Sequence, residues 1–223
     1  MPEAPGAKTR TPSRRRAPRH PPARTPAPLP SRRQAARRER ILAAARRVFA
    51  DKGYDFATVD DIATAAGAAH GTFYLYFPSK KGVVIELAEA YLTEIYRQVM
   101  AAYDPARPLA ESIRPMVHAA FATCAQNRDL ARLFRFSLDV EAAEAIQAAR
   151  ARRTLLSTVA QILARHMEAG EVKPLDPEMA AGLAIGMIRD ATYECYVFGD
   201  GSPAERCEDA LVAFLTNALI VGN

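Results

Sequence analysis

Side chains that could donate hydrogen bonds to a polyanion are concentrated between residues 58 and 80, in the stretch TVDDIATAAGAAHGTFYLYFPSK. Hydroxyl, imidazole, phenol and ammonium groups donate to phosphate oxygens and to the edges of bases, and a glycine lets the backbone approach a phosphate closely. The candidate groups are His70, Gly71, Thr72, Tyr74, Tyr76 and Lys80. The chemistry that these residues indicate is binding to nucleic acid.

The same stretch predicts two short helices joined by a tight turn. The Thr58 hydroxyl can cap the amide of Asp61 at the start of the first helix. Gly67 supplies the turn, which needs a backbone conformation that a side chain would resist. The second helix is expected to run from about residue 69 to residue 77, where Pro78 stops it. Two helices joined in this way form a helix-turn-helix, whose second helix enters the major groove of DNA.

Helical periodicity extends to both sides of this motif. A first helix is predicted over about residues 32–52, and Ser79 can cap another that runs to about Met100. Ile62, Phe73 and Phe77 are expected to pack the two short helices against Val48 and Phe49. No stretch alternates with a β period, and further helices are predicted near 108–126, 129–138, 140–169, 177–198 and 203–220. The expected fold class is all-α.

Charge divides the chain near residue 40. Residues 1–40 contain 12 Lys and Arg against two Glu, a net +10, so a total of +5 leaves −5 for residues 41–223. Nine prolines among residues 1–30 favour a disordered, basic arm. A basic end on a mildly acidic body is typical of a protein that meets a polyanion at one end. We therefore expect an arm over 1–30, a helix-turn-helix domain over 31–78 and a helical domain over 79–223.

Residues 66–80 read AGAAHGTFYLYFPSK, which resembles the pattern AGVSxGTLYxHFxSK in the DNA-binding domain of the TetR family of repressors. The resemblance runs from about Arg37 to Leu92. Two departures from the pattern matter for binding: Ala69 replaces a frequent serine cap, and Tyr76 replaces the usual histidine, which still leaves a hydrogen-bond donor. The DNA-binding set that the resemblance implies is Arg37, Thr58, Ala69, His70, Gly71, Thr72, Tyr74, Leu75, Tyr76 and Lys80.

In that family the C-terminal helices form a ligand pocket and a dimer interface. Gly182 and Gly186 lie one turn apart in the penultimate predicted helix, and the last helix carries the stripe Leu211, Phe214, Leu215, Ala218 and Leu219. Such stripes suit either packing within the chain or an intermolecular four-helix bundle. The resemblance implies a homodimer on a near-palindromic, double-stranded DNA operator, with recognition helices roughly 34 Å apart.

The resemblance also implies an unknown small-molecule effector, apolar or amphipathic in character. The candidate pocket residues are Met116, Phe121, Phe134, Phe136, Leu155, Arg189 and Tyr193. Arg189 has no carboxylate one turn away, so it faces solvent, an acid of another element or a ligand. His118 and His166 lack a second ligand at metal spacing, so neither a metal nor a cofactor is expected.

The sequence argues against two alternatives to a ligand-responsive repressor, an architectural DNA-binding protein and an enzyme. The acidic body argues against an architectural protein that coats DNA, and the absence of GxSxG, HExxH, Walker and dinucleotide motifs argues against an enzyme. No apolar run could span a bilayer or serve as a secretory signal, so a cytoplasmic protein without a membrane partner is expected. Cys124, Cys195 and Cys207 are then expected to be free thiols, with Cys195 and Cys207 as a candidate redox pair.

Overall fold

The computed structural model describes residues 32–137, 145–201 and 204–222, and describes side chains outside 135–151. The helices in chain order are α1 (Arg32–Lys52), α2 (Val59–Ala65), α3 (His70–Tyr74), α4 (Lys80–Ala101), α5 (Leu109–Gln126), α6 (Arg128–Ser137), α7 (Ala145–Glu168), α8 (Pro177–Tyr193) and α9 (Ala204–Leu219). The described ranges contain no β-strand, only an isolated antiparallel bridge between Val172 and Ile220. The all-α prediction is confirmed.

The first three helices form a small bundle around aromatic and aliphatic side chains. Phe73 and Ile62 are fully buried, and Phe77 is nearly so, in a cluster that includes Val48 and Phe49 of α1. Gly53 ends α1 at φ 78° and Gly67 makes the α2–α3 turn at φ 62°, both in the left-handed region that favours glycine. The core and both turns therefore follow the sequence pattern.

The third helix is shorter than the sequence pattern predicts. It ends at Tyr74, and the amides of Leu75 and Tyr76 donate to the carbonyls of Thr72 and Phe73 at 3.3 and 2.9 Å. These are tighter three-residue bonds that close the last turn. Pro78 prevents any continuation beyond Phe77, because a proline has no amide to donate to the carbonyl four residues before it.

The predicted helix over 177–198 also changes character near its end. The α-helix stops at Tyr193 and continues as a π-helical turn over Glu194–Phe198. A Cβ at Gly199 would lie 2.9 Å from the carbonyl oxygens of Glu194 and Cys195, so this close approach requires glycine. The predicted start of the preceding long helix, at residues 140–144, lies outside the described residues.

Ion pairs to α4 and to α6 join the N-terminal bundle to the C-terminal helices. The Arg38 guanidinium of α1 pairs with Glu86 of α4 and donates to the carbonyl of Tyr76 at 2.9 Å. The Arg46 guanidinium, also of α1, donates to the Asp129 carboxylate of α6 at 2.7 Å. An N-terminal helix-turn-helix domain is thus followed by a helical domain in which α5 and α7 pack against α4, α8 packs against α7 and α5, and α9 packs against α5 and α8. Among the described residues, no helix combines the length and the hydropathy needed to cross a bilayer.

Candidate nucleic-acid interface and effector cavity

The α3 helix buries one face and exposes the other. Phe73 is buried in the bundle, whereas Tyr74 is 49% exposed and Leu75, just after the helix, is 81% exposed. Most of the predicted DNA-binding set lies on or beside this exposed face, with Thr72 and Tyr76 half-buried at its edges and Arg37 exposed on α1. The arrangement leaves a short row of polar and apolar side chains available to a partner. Those residues remain the predicted DNA contacts.

The α2 helix carries a complete capping box at its start. The Thr58 hydroxyl accepts a hydrogen bond from the Asp61 amide at 3.1 Å, and the Asp61 carboxylate accepts one from the Thr58 amide at 3.0 Å. Lys52 also donates to Asp61, and these hydrogen bonds lower the pKa of Asp61 to about 2. Ala69 precedes α3 with extended backbone and supplies no side-chain cap, as its residue type requires.

An acidic residue of α2 holds the first side chain of α3. The Nδ1 atom of His70 contacts the Asp60 carboxylate, and the His70 ring lies 5.2 Å from the Tyr74 ring. With Nδ1 engaged, Nε2 is the ring nitrogen left to meet a partner. This contact could not be predicted from the sequence, because no spacing rule connects residues across the turn of the motif.

Lys80 is held by the loop between α1 and α2. Its ammonium donates to the carbonyls of Tyr54 at 2.6 Å and of Ala57 at 2.9 Å, and lies 4.2 Å from the centre of the Tyr54 ring. Two of its three donors are therefore used inside the protein. A phosphate contact by Lys80 stays a prediction, with one donor left for it.

A cavity of about 550 Å³ lies among α4, α5, α7, α8 and α9. Five of the predicted pocket residues line it, namely Met116, Phe134, Leu155, Arg189 and Tyr193. Phe121 is buried elsewhere, since its ring packs edge-on against Tyr196 at 6.3 Å. The side chain of Phe136 lies outside the described residues. The volume is that of a pocket for a small organic molecule.

The polar groups of the cavity come mainly from α7 and α8. Arg152, Arg189, Thr192 and Tyr193 line it, together with the buried Tyr91 of α4, whose pKa is raised by burial. Arg189 donates to the adjacent Asp190 carboxylate at 2.8 Å, which is the partner that the sequence did not reveal. Neighbouring helix residues do not normally face each other, so the spacing gave no signal for this pair.

A second apolar surface lies on the outside of the C-terminal helices. Met179 and Leu183 of α8 are 66% and 61% exposed, and Phe214 of α9 is 58% exposed. Gly186 keeps this side of α8 low, because a Cβ there would meet no atom within 4 Å, whereas a Cβ at Gly182 would lie 3.8 Å from Leu156 of α7. Of the predicted stripe on α9, Leu211, Leu215 and Leu219 are buried within the chain. Phe214 and Ala218 are thus the members that face outward.

The histidines and cysteines of the C-terminal helices that the structure describes have partners within the chain. His166 is buried between the Glu171 carboxylate at 2.8 Å and the Tyr103 hydroxyl at 3.0 Å, and His118 lies 3.2 Å from Glu208. The described residues contain no group of three potential metal ligands. Burial and its neighbour Cys207 raise the pKa of the Cys195 thiol to about 12, which disfavours the reactive thiolate.

Two family models match different parts of the chain. Residues 41–87 match the model described as bacterial regulatory proteins, tetR family, and residues 116–215 match the C-terminal domain of AefR-like transcriptional repressors. The first match covers α2, α3 and the start of α4, and the second covers most of the cavity. Both halves of the molecule therefore resemble the same class of protein.

Relatives and solved structures agree with these matches. The regulator YvdT of Bacillus subtilis is 48% identical over 61 residues, which is 27% of this chain and 31% of that protein. The fatty acid metabolism regulator protein of B. subtilis is 28% identical over 162 residues, covering 72% of this chain and 83% of that protein.

The solved structure of FadR from B. subtilis, in complex with stearoyl-CoA, superposes with a TM-score of 0.70 at 22% identity, covering 79% of this chain and 96% of that one. At that identity the superposition establishes the fold alone. The helix-turn-helix geometry, the two family-model matches and the shared fold lead to one conclusion. The chain belongs to the TetR family of DNA-binding transcriptional regulators.

Proposed function

We propose that this protein is a dimeric repressor that leaves a palindromic operator when a small apolar or amphipathic ligand enters the cavity. The observation that carries the proposal is the exposed face of α3, where Tyr74 and Leu75 project from a rigid bundle while Phe73 anchors it. A helix presented in this way fits the major groove, and two copies related by a two-fold axis fit successive grooves.

The apolar surface on α8 and α9 supports the dimer. Large apolar side chains exposed side by side are typical of interaction sites, and two such helices from each copy make a four-helix bundle. The partner is a second copy of this chain, because an isologous contact repeats the same apolar patch on both sides. Leu183 and Phe214 are the side chains that the partner would cover.

The cavity supports a ligand-controlled repressor. Aliphatic and aromatic side chains surround about 550 Å³ of space that the side chains described by the structure do not fill. Native cores seldom retain voids of this size, so the space is suited to a ligand. The B. subtilis relative is named as a regulator of fatty acid metabolism, and the FadR structure contains stearoyl-CoA. Both relatives favour an effector with a long apolar part.

Binding to the DNA upstream of the coding gene tests the repressor. We expect tight binding to an inverted repeat and a loss of at least tenfold for Tyr74→Ala, with unchanged helical circular dichroism. Leu175→Ala is the matched control, because Leu175 is similarly exposed but lies in the α7–α8 loop. Equal affinity for operator and scrambled DNA would instead favour an architectural protein.

Light scattering tests the dimer. The wild-type protein should have twice the 24.3 kDa mass of one chain, and a charge introduced by Leu183→Glu with Phe214→Glu should yield the monomer. Wild-type protein of 24.3 kDa at micromolar concentration would contradict the dimer.

A further inference from the structure

The cavity has one cationic end. Arg152 of α7 and Arg189 of α8 both line it. The two helices run antiparallel across a short connection, and Leu156 lies 3.8 Å from where a Cβ on Gly182 would stand. Arg152 precedes Leu156 by four residues, and Arg189 follows Gly182 by seven. At 1.5 Å per residue they lie about 6 and 10 Å along their helices from the Leu156–Gly182 contact. Because the helices are antiparallel, both displacements point in the same direction. The two guanidinium-bearing residues therefore share one end.

The opposite end is aliphatic. Cys124, near the end of α5, hydrogen-bonds with Tyr91 and Thr192 close to the cationic end. Leu109, at the start of α5, lines the cavity about 22 Å away along the helix axis. Other residues that line the aliphatic end are Val99, Leu163, Leu215 and Leu219. The cavity is elongated and polar at one end only.

The cationic end is open to an anion. The Arg189 side chain is 52% exposed and pairs with an exposed neighbour, Asp190, a kind of pair that contributes little free energy. The Arg152 side chain is exposed, and the described residues that line the cavity include no Asp or Glu. Arginine forks match carboxylate and phosphate oxygens, so an anionic ligand can displace the Asp190 contact.

We propose that the ligand is a linear aliphatic chain with an anionic head, held by Arg152 and Arg189, with its tail directed toward Leu109. At roughly 30 Å³ per non-hydrogen atom, a cavity of this volume holds about 18 such atoms. The head is a carboxylate or the phosphates of an acyl-coenzyme A, both of which are negatively charged. The proposal rests on the effector role proposed above and names the chemical class of that effector.

Calorimetry with four dodecyl compounds tests the class. Dodecanoate and dodecanoyl-coenzyme A are the anionic probes, and dodecanol and dodecyltrimethylammonium are the neutral and cationic controls. We expect at least one anionic probe to bind at least tenfold more tightly than both controls, and the tighter of the two identifies the source of the head. Equal binding of dodecanol would overturn the proposal.

Single variants test the two arginines. Arg152→Gln and Arg189→Gln should each weaken the anionic probe about tenfold, the loss of one charge-assisted hydrogen bond. Arg153→Gln, next along α7, exposed and not lining the cavity, is the matched control. Circular dichroism checks that each variant folds. Unchanged affinity in both variants would refute the assignment of the head.

Operator release is measured separately with the same compounds. An anionic probe that binds through the arginines but does not release DNA contradicts the effector role and leaves the assigned class intact. Release by dodecanol, with no preference for the anions, keeps the effector role and refutes the class.

Discussion

At the scale of single residues, the predicted DNA-facing surface is organised by contacts within the protein. The α1–α2 loop holds Lys80, and Asp60 holds His70. Each contact limits where a polar group can point, and ordering it in advance lowers the entropy cost of binding DNA. Variants of Lys80 and Asp60 can therefore distinguish a structural role of these contacts from a direct contact with DNA.

Lys80→Ala should destabilise the protein, because the carbonyls of Tyr54 and Ala57 lose their donor. We expect the free energy of unfolding to fall by about 1–2 kcal/mol in a urea titration. A phosphate contact by the third donor would, in addition, lower the slope of log affinity against log salt by about 0.9. The two measurements together decide which role Lys80 has.

Asp60→Ala should reduce discrimination between operator and scrambled DNA, because the His70 ring is no longer fixed. Loss of a negative charge should also raise affinity for any DNA. Asp55→Ala is the control for charge, since Asp55 is exposed in the α1–α2 loop of the same domain. Fluorescence anisotropy on both DNAs measures the ratio. A ratio that falls equally in both variants would contradict a positioning role for Asp60.

At the scale of elements, α6 carries one contact between the DNA-binding bundle and the helices around the cavity, and α4 makes another. Asp129 and Phe134 belong to the same helix, and the first binds Arg46 of α1 while the second lines the cavity. Burial is the largest single influence and raises the pKa of Asp129, but the hydrogen bond and charge of Arg46, together with hydrogen bonds from backbone amides, outweigh it, so the pKa is lowered. The stabilisation is therefore present above the ordinary carboxyl pKa and is lost as the pH falls through the lowered value.

Arg46→Ala should weaken the response to effector more than it weakens operator binding, because the ion pair that joins α1 to α6 is lost. The cost in stability should be about 1 kcal/mol, since the pair is partly exposed. Arg97→Ala is the matched control, because Arg97 pairs with Glu94 within α4 alone. Operator affinity is measured with and without an effector. A response as large as that of the wild type would exclude this route.

Local signals predicted most of the helix-turn-helix. The Thr58 cap, the glycine turns and the buried Phe73 each depend on residues within a few positions. The pair Arg46–Asp129 spans 83 residues, and no spacing rule reaches that far. Pocket candidates such as Met116 followed from helical periodicity, but which face of α5 meets the cavity depends on tertiary packing. Phe121 shows this, because it is apolar and buried yet turned toward Tyr196.

At the scale of the whole molecule, the charge division predicts how salt affects DNA binding. Removing residues 1–30 deletes seven Lys and Arg against one Glu. Each phosphate that these groups neutralise contributes about 0.9 to the salt slope, so protein 31–223 should have a slope flatter by a few units. Affinity for operator and scrambled DNA should fall by similar factors. A fall confined to the operator would mean that residues 1–30 read sequence.

The Arg46–Asp129 contact also has a consequence for the concentration at which the protein responds. If α6 links the two sites, thermodynamic reciprocity requires operator DNA to weaken effector binding by the same factor by which effector weakens DNA binding. Protein bound to its operator therefore has a higher effective dissociation constant for the effector than free protein has. Additional copies of the operator in a cell would raise the effector concentration needed for half-maximal induction without any change in the protein itself.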